Sequence, residues 1–216
     1  MRDPASDAAE MARRRELMLE TGFRLFAHQT IESVKLQDIA AESGVGIATL
    51  YRYFETKQNL VIEIGAKKWR EYYLEEEEEY LRRNGSSMTA AEEMEYYLDC
   101  FIDLYRNHKD LLRFNRNFDS YVKHEGCTVE QMRHYNEAVN VFAGKFHSLY
   151  LRAEKDGTLN IRQSERKLFV STMYIMLSAA GKFAEGLIYP PDEDRDMSEE
   201  LIMLKNMILN NCRTGS

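Results

Sequence analysis

Residues 36–57, LQDIAAESGVGIATLYRYFETK, constrain this chain more than any other stretch. The spacing predicts a helix, a tight turn at Gly44 and a second short helix. Leu36, Ile39, Ala40, Val45, Leu50 and Phe54 fall where they can share one small core. Ala40 is small where two helices must cross closely. Gly44 stands where a helix has to end with positive φ, which glycine adopts at least cost. Gly46, Ile47, Ala48, Thr49, Tyr51, Arg52 and Tyr53 are left on an outward surface. A short helix that opens with small residues and continues with hydroxyls and cations suits a DNA major groove. The expected motif is a helix-turn-helix.

With the helix before it, LMLETGFRLFAHQTIESVKLQDIAAESGVGIATLYRYFETKQNLV resembles the DNA-binding domain of TetR-type transcriptional regulators. DIAAESGV and ATLYRYFETKQNL carry most of the likeness, and Phe23, Leu25, Phe26 and Ala27 match the family's first helix. Thr30 departs from the usual Gly, and Val34 and Lys35 from the usual Thr or Ser. The resemblance implies that Tyr51, Tyr53 and Lys57 touch phosphates. It implies that Gln37, Gly46, Ile47, Ala48 and Thr49 lie at bases or in the groove. Ile47 and Ala48 have no side-chain donor, so they can read only a thymine methyl. Lys57 would add its ammonium to the free N–H groups of the next helix. Arg52 can reach guanine or pair with Glu55, and the sequence leaves both open. The same is true of Arg13, Arg14 and Arg15, which are either a solvated helix start or DNA contacts. Beyond about residue 70 only the family's architecture carries over: a homodimer, formed by the last two helices, that acts as a repressor.

The net charge of −7 argues against a DNA binder until it is divided. Residues 1–70 hold 11 Lys and Arg against 10 Asp and Glu, a net +1, while residues 71–216 hold 18 against 26, a net −8. An acidic second part would be repelled by DNA and confine contact to the first. With only three Pro, a hydrophobic content of 44% and no alternating strand pattern, the expected fold class is all-α. Cys100, Cys127 and Cys212 show no paired spacing, which suits a reducing cytoplasm. No apolar run reaches the ~18 residues of a membrane-spanning helix, so no membrane partner is expected. His124, Cys127 and His134 fit no tight zinc spacing. No metal or cofactor is expected, and no converging set of acids, bases or nucleophiles points to an enzyme.

The expected organisation is a DNA-binding domain over 1–56, with a flexible tail at 1–10, and a helical ligand-binding and dimerisation domain over 57–216. A long helix from about Thr56 to Arg83 joins them, and Asn84-Gly85-Ser86-Ser87 ends it. The second domain is rich in Phe, Tyr and Met, and a bundle of that kind can hold a pocket. Tyr97, Phe101, Phe114, Phe118, Tyr121, Tyr135, Phe142 and Tyr174 are the candidate ligand residues, and an apolar or aromatic small molecule is the expected ligand. The helix from about Ser164 carries two apolar stripes: Phe169, Met173, Met176, Ala180, Phe183 and Leu187, then Val170, Tyr174, Leu177, Gly181, Ala184 and Ile188. A helix apolar on both sides is buried on both sides. One stripe is expected in the chain's own core. The other, with Leu201, Leu204 and Ile208 of the last helix, is expected to meet a second copy. Tyr189-Pro190-Pro191-Asp192 is the expected stop. The chain then reads as a homodimeric regulator released from double-stranded operator DNA by a small molecule. An all-α enzyme and a ligand-independent DNA-binding protein are the alternatives.

Overall fold

The computed structural model describes residues 4–186 and 195–212. Among these there are nine α-helices, one 3-10 turn and no strand. They are α1 (Pro4–His28), α2 (Leu36–Glu42), α3 (Ile47–Phe54), α4 (Lys57–Arg82), α5 (Ala90–Asn107), α6 (Lys109–His124), α7 (Arg133–Asp156), α8 (Glu165–Ala184) and α9 (Ser198–Cys212). The polar start expected as a tail is instead helical from Pro4. Proline is tolerated at a first helical position, and Glu10 braces the next turns by accepting from Arg13 and Arg14.

By contacts the chain forms two compact units that are not consecutive in sequence. The first is Met1–Trp69 with Arg113–Ala138, and the second is Arg70–Leu112 with Val139–Ser216. The first unit is built on α1, α2 and α3. Met18, Leu19, Phe26, Ile39, Leu50 and Phe54 are buried together with Leu60 and Ile64 of α4. Gly44 turns α2 into α3 at φ +69°, and Val45 N–H returns to Ala40 O at 2.9 Å. α6 belongs to this unit through Phe114, Phe118 and Tyr121, all buried. Phe23 meets Phe114 with ring centres 5.6 Å apart, and Phe118 stacks on Tyr135 at 4.3 Å.

In the second unit α5 packs on α8 and α9, which also pack on each other. Thr89 caps α5 in a reciprocal pair with Glu92, satisfying donors that a helix start leaves open. Tyr97, Phe142, Phe146 and Phe169 form a continuous aromatic cluster. Glu93 is buried among them at 1% exposure and accepts from the hydroxyls of Tyr80 and Tyr97. Burial, reinforced by that carboxylate, pushes the Tyr80 hydroxyl up to about 12.

The two stripes of α8 are sorted differently from expectation. The line buried in the unit's own core is Leu168, Thr172, Met176, Ala180 and Ala184, one residue in four. Thr172, a polar residue, takes a place expected of an apolar one. Tyr174 is 72% exposed, and Val170 and Ile175 beside it are exposed as well. Ala184 at 1% and Leu201 at 0% are core residues of their own chain and therefore leave the expected dimer face. Leu177, Gly181, Leu204 and Ile208 are half-buried. α8 ends at Ala184, with Gly186 at φ +85°, so the stop precedes the prolines. Leu187, Ile188 and Tyr189-Pro190-Pro191-Asp192 lie outside the described residues.

Candidate nucleic-acid interface

Lys35 is the N-cap of α2, and its side chain has no acceptor for a cap. Asp38 caps in the reverse sense, taking the Lys35 N–H at 3.2 Å. Ser43 closes the helix by donating its hydroxyl to Ile39 O at 2.6 Å. α3 then starts from Gly46 in extended conformation. A side chain at Gly46 would meet nothing within 4 Å. Its smallness therefore serves no packing inside the chain.

Leu50 and Phe54 root α3 in the core. Gln37, Gly46, Ala48, Tyr51 and Arg52 are exposed, while Ile47, Thr49 and Tyr53 are half-buried. All eight of these positions thus reach the surface of the helix-turn-helix. Arg52 does not settle on Glu55: its guanidinium lies over the Tyr53 ring, 5.9 Å from the centre. The Tyr53 hydroxyl donates to Met11 O at 3.2 Å, tying α3 to the start of α1. Arg15 pairs with Glu63. Hydrogen bonds from Arg13 and Arg14 hold the Glu10 carboxyl down at about 2.

Lys57 is placed differently from a simple phosphate contact. Its ammonium donates to Val34 O at 2.6 Å and Glu32 O at 3.3 Å, and it lies over the Tyr121 ring at 5.9 Å. Desolvation lowers its pKa, with Glu32 and Glu125 opposing. The N–H groups at the start of α4 are partly used too, since Thr56 Oγ accepts from Asn59 N at 3.1 Å. Between α3 and α4, Glu55 sits at φ 60°, ψ −50°, and Thr56 N–H bonds Phe54 O at 2.6 Å. This is a γ-turn of the rarer hand.

The eight candidate ligand residues divide between the two units. Phe114, Phe118, Tyr121 and Tyr135 belong to the first unit, and Tyr97, Phe101, Phe142 and Tyr174 to the second. Six of them are buried in ring-to-ring packing or beside it, Tyr135 is half-buried and Tyr174 is exposed. The second unit has a cleft of about 350 Å³ lined instead by Glu75, Glu76, Glu79, Arg83, Tyr96, Asp99, Cys100 and Asp103. Sequence reasoning passed over it because the acidic run of α4 reads as a solvated face.

A packed helix-turn-helix with a small-residue start to its exposed second helix has the geometry of a major-groove reader. Residues 18–64 match the family described as bacterial regulatory proteins, tetR family. An HTH-type transcriptional regulator of Staphylococcus aureus is 26% identical over 133 residues, 62% of this chain and 66% of that protein. The chain thus spans slightly less than two thirds of that relative's length. The fatty acid degradation regulator FadR of Bacillus halodurans superposes with a TM-score of 0.70 at 12% identity, covering 97% of this chain and 96% of that one. FadR from Bacillus subtilis in complex with stearoyl-CoA gives 0.70 at 14% identity over 91% and 98%. The ketosteroid transcriptional regulator KstR2 of Mycobacterium tuberculosis gives 0.66 at 12% over 94% and 96%. Residues 18–64 thus match the tetR-family model, and the chain as a whole is similar to these regulators in fold. Among the described residues no helix is long and apolar enough to cross a membrane.

Proposed function

We propose that this chain is a cytoplasmic homodimeric repressor, not an enzyme, that leaves its operator when an apolar small molecule binds. The observation that carries the reading is the surface of α3, where Ala48, Tyr51 and Arg52 are exposed while Leu50 and Phe54 fix the helix. Gln37, Gly46, Ile47, Ala48, Thr49, Tyr51, Arg52 and Tyr53 are the proposed DNA-facing residues, with Lys57 at the edge. Dimerisation would use the apolar side chains left uncovered on α8 and α9: Tyr174, Leu177, Gly181, Leu204 and Ile208, joined by Met203 and Met207. An uncovered apolar surface of this kind marks an interaction site. Two reading helices related by a two-fold axis would favour half-sites about one turn apart, roughly 34–36 Å. The aromatic content of the second unit supports an apolar ligand, and relatives of the same fold include one in complex with stearoyl-CoA and a ketosteroid regulator.

The test has two parts. Selection from a random-sequence duplex library should enrich a palindrome. Stearoyl-CoA, and any molecule retained by the purified chain in native mass spectrometry, is then titrated against the protein–duplex complex. No enriched palindrome overturns operator binding. A palindrome still held at saturation by each such molecule makes the chain a ligand-independent DNA binder.

A further inference from the structure

We propose that Asn117, on α6, is a positioning residue for operator binding, acting through the turn that joins α1 to α2; this rests on the operator reading above. A helix C-terminus leaves its last four carbonyls without intrahelical donors. At the end of α1, Leu25 O is met by Gln29 N–H at 3.0 Å. Phe26 O is met by Asn117 Nδ2 at 2.8 Å, and Gln29 O by the same nitrogen at 3.1 Å. Further along, Thr30 O is met by Ser33, and Glu32 O and Val34 O take the ammonium of Lys57. The turn that sets where α2 begins is thus held by two side chains from α4 and α6, up to 91 residues away in sequence.

Local bonds hold the start of α2 only in part: Asp38 takes the Lys35 N–H and Ser33 Oγ donates to Thr30 O. Lys35 at its N-cap offers no side-chain acceptor, where Ser or Thr would anchor the first turn. The remote donors instead secure the carbonyls on the α1 side of the turn. α2 carries Gln37 and packs on both α1 and α3, so a shift of the turn is passed to the reading helix. α6 is a firm base for this clamp: Phe114 and Phe118 are fully buried and Phe114 meets Phe23 of α1. Gln58 and Glu125 tie the far end of α6 to α4 at 2.8 Å. A carboxamide has two N–H donors, and here they serve Phe26 and Gln29. Asn117 therefore acts on DNA through the protein's own backbone.

The test compares Asn117→Leu, which keeps the shape and removes the donors, with Asn117→Gln, which keeps a carboxamide. The probe is the palindromic duplex that the wild-type chain selects from a random library. Asn117→Leu should bind it about tenfold more weakly, the equivalent of one to two lost hydrogen bonds. Asn117→Gln should recover most of that loss. The slope of log affinity against log salt should stay within one phosphate contact of wild type, since a contact is worth about 0.9 in slope. Amide exchange should quicken at residues 30–38, and Trp69 emission, which reports the seating of α6 through Asn115, should not move. Wild-type affinity in Asn117→Leu overturns the proposal. So does a change in Trp69 emission or exchange that spreads through the whole unit, because the residue would then merely hold the fold. A wild-type chain that selects no duplex overturns the operator reading itself, and the proposal with it.

Discussion

Arg152 reaches Glu93 with Nε 3.2 Å from Oε2, and the same guanidinium donates to the main-chain oxygens of Gly85 and Met88. One side chain on α7 thereby neutralises a carboxylate inside the second unit and closes the turn between α4 and α5. Removing one member of a buried ion pair strands the other. Arg152→Ala should cost about 3 kcal/mol, and Arg152→Lys less, because it keeps the charge and loses the fork. Urea unfolding followed by circular dichroism measures both. A loss under 1 kcal/mol for the alanine variant would mean that water reaches Glu93.

Asn115 plays a comparable part in the first unit. Its Oδ1 accepts from Trp69 Nε1 at 3.2 Å and from the Tyr135 hydroxyl at 3.1 Å. Asn115→Leu leaves two donors without that acceptor, at roughly 1–3 kcal/mol each. The expected result is a destabilised chain whose Trp69 emission is altered while the fold persists. Unchanged emission would show that the indole N–H finds another acceptor.

Arg52 is free of Glu55 and rests on Tyr53, so its guanidinium can swing into a groove. Arg52→Ala should weaken binding to the selected palindrome by about 1–3 kcal/mol if it reads guanine. The loss should concentrate at one base position. An equal loss on every duplex in a mutated-site panel would reassign Arg52 to a phosphate.

The exposed side chains of α8 and α9 give a cleaner dimer test than the buried ones. Tyr174→Glu with Met207→Glu changes two exposed positions, so the chain should keep its fold and sediment as a monomer. Ala184→Arg, at a site closed within the chain's own core, should cost at least about 3 kcal/mol and yield unfolded or aggregated protein. A dimer that survives the double substitution moves the interface away from these helices.

The helix-turn-helix was legible because its constraints are short-range. Gly44, the Leu50–Phe54 pair and the small start of α3 each act within a few residues of their partners. The core of the first unit followed from the same spacing. α8 was harder, because a helix apolar on most sides gives no phase, and Thr172 in the core line removed what phase there was. Pairings such as Arg152 with Glu93, or Asn117 with Phe26, join polar residues far apart in sequence and leave no periodic trace. The choice of ligand residues rests on a weaker signal. Aromatic periodicity marks burial, and burial alone does not say whether a ring lines a void or fills one. The division into units was hidden because α6 returns to the first unit after an excursion of more than forty residues.

Glu55 gives the joint between α3 and α4 an uneven stiffness. A non-glycine residue at φ 60° sits about 1–3 kcal/mol above its relaxed conformations, and holds there only while Phe54 on one side and Leu60 on the other stay buried. Bending within that well is resisted, but escape from it is downhill. When either helix end lifts, the residue falls to negative φ and the joint swings to a new direction rather than flexing around the old one. Local opening here should therefore be a two-population event, in which the last turn of α3 and the first turn of α4 release together. Slow exchange between two sets of amide resonances around residue 55 would be its signature, where a graded hinge would give one averaged set.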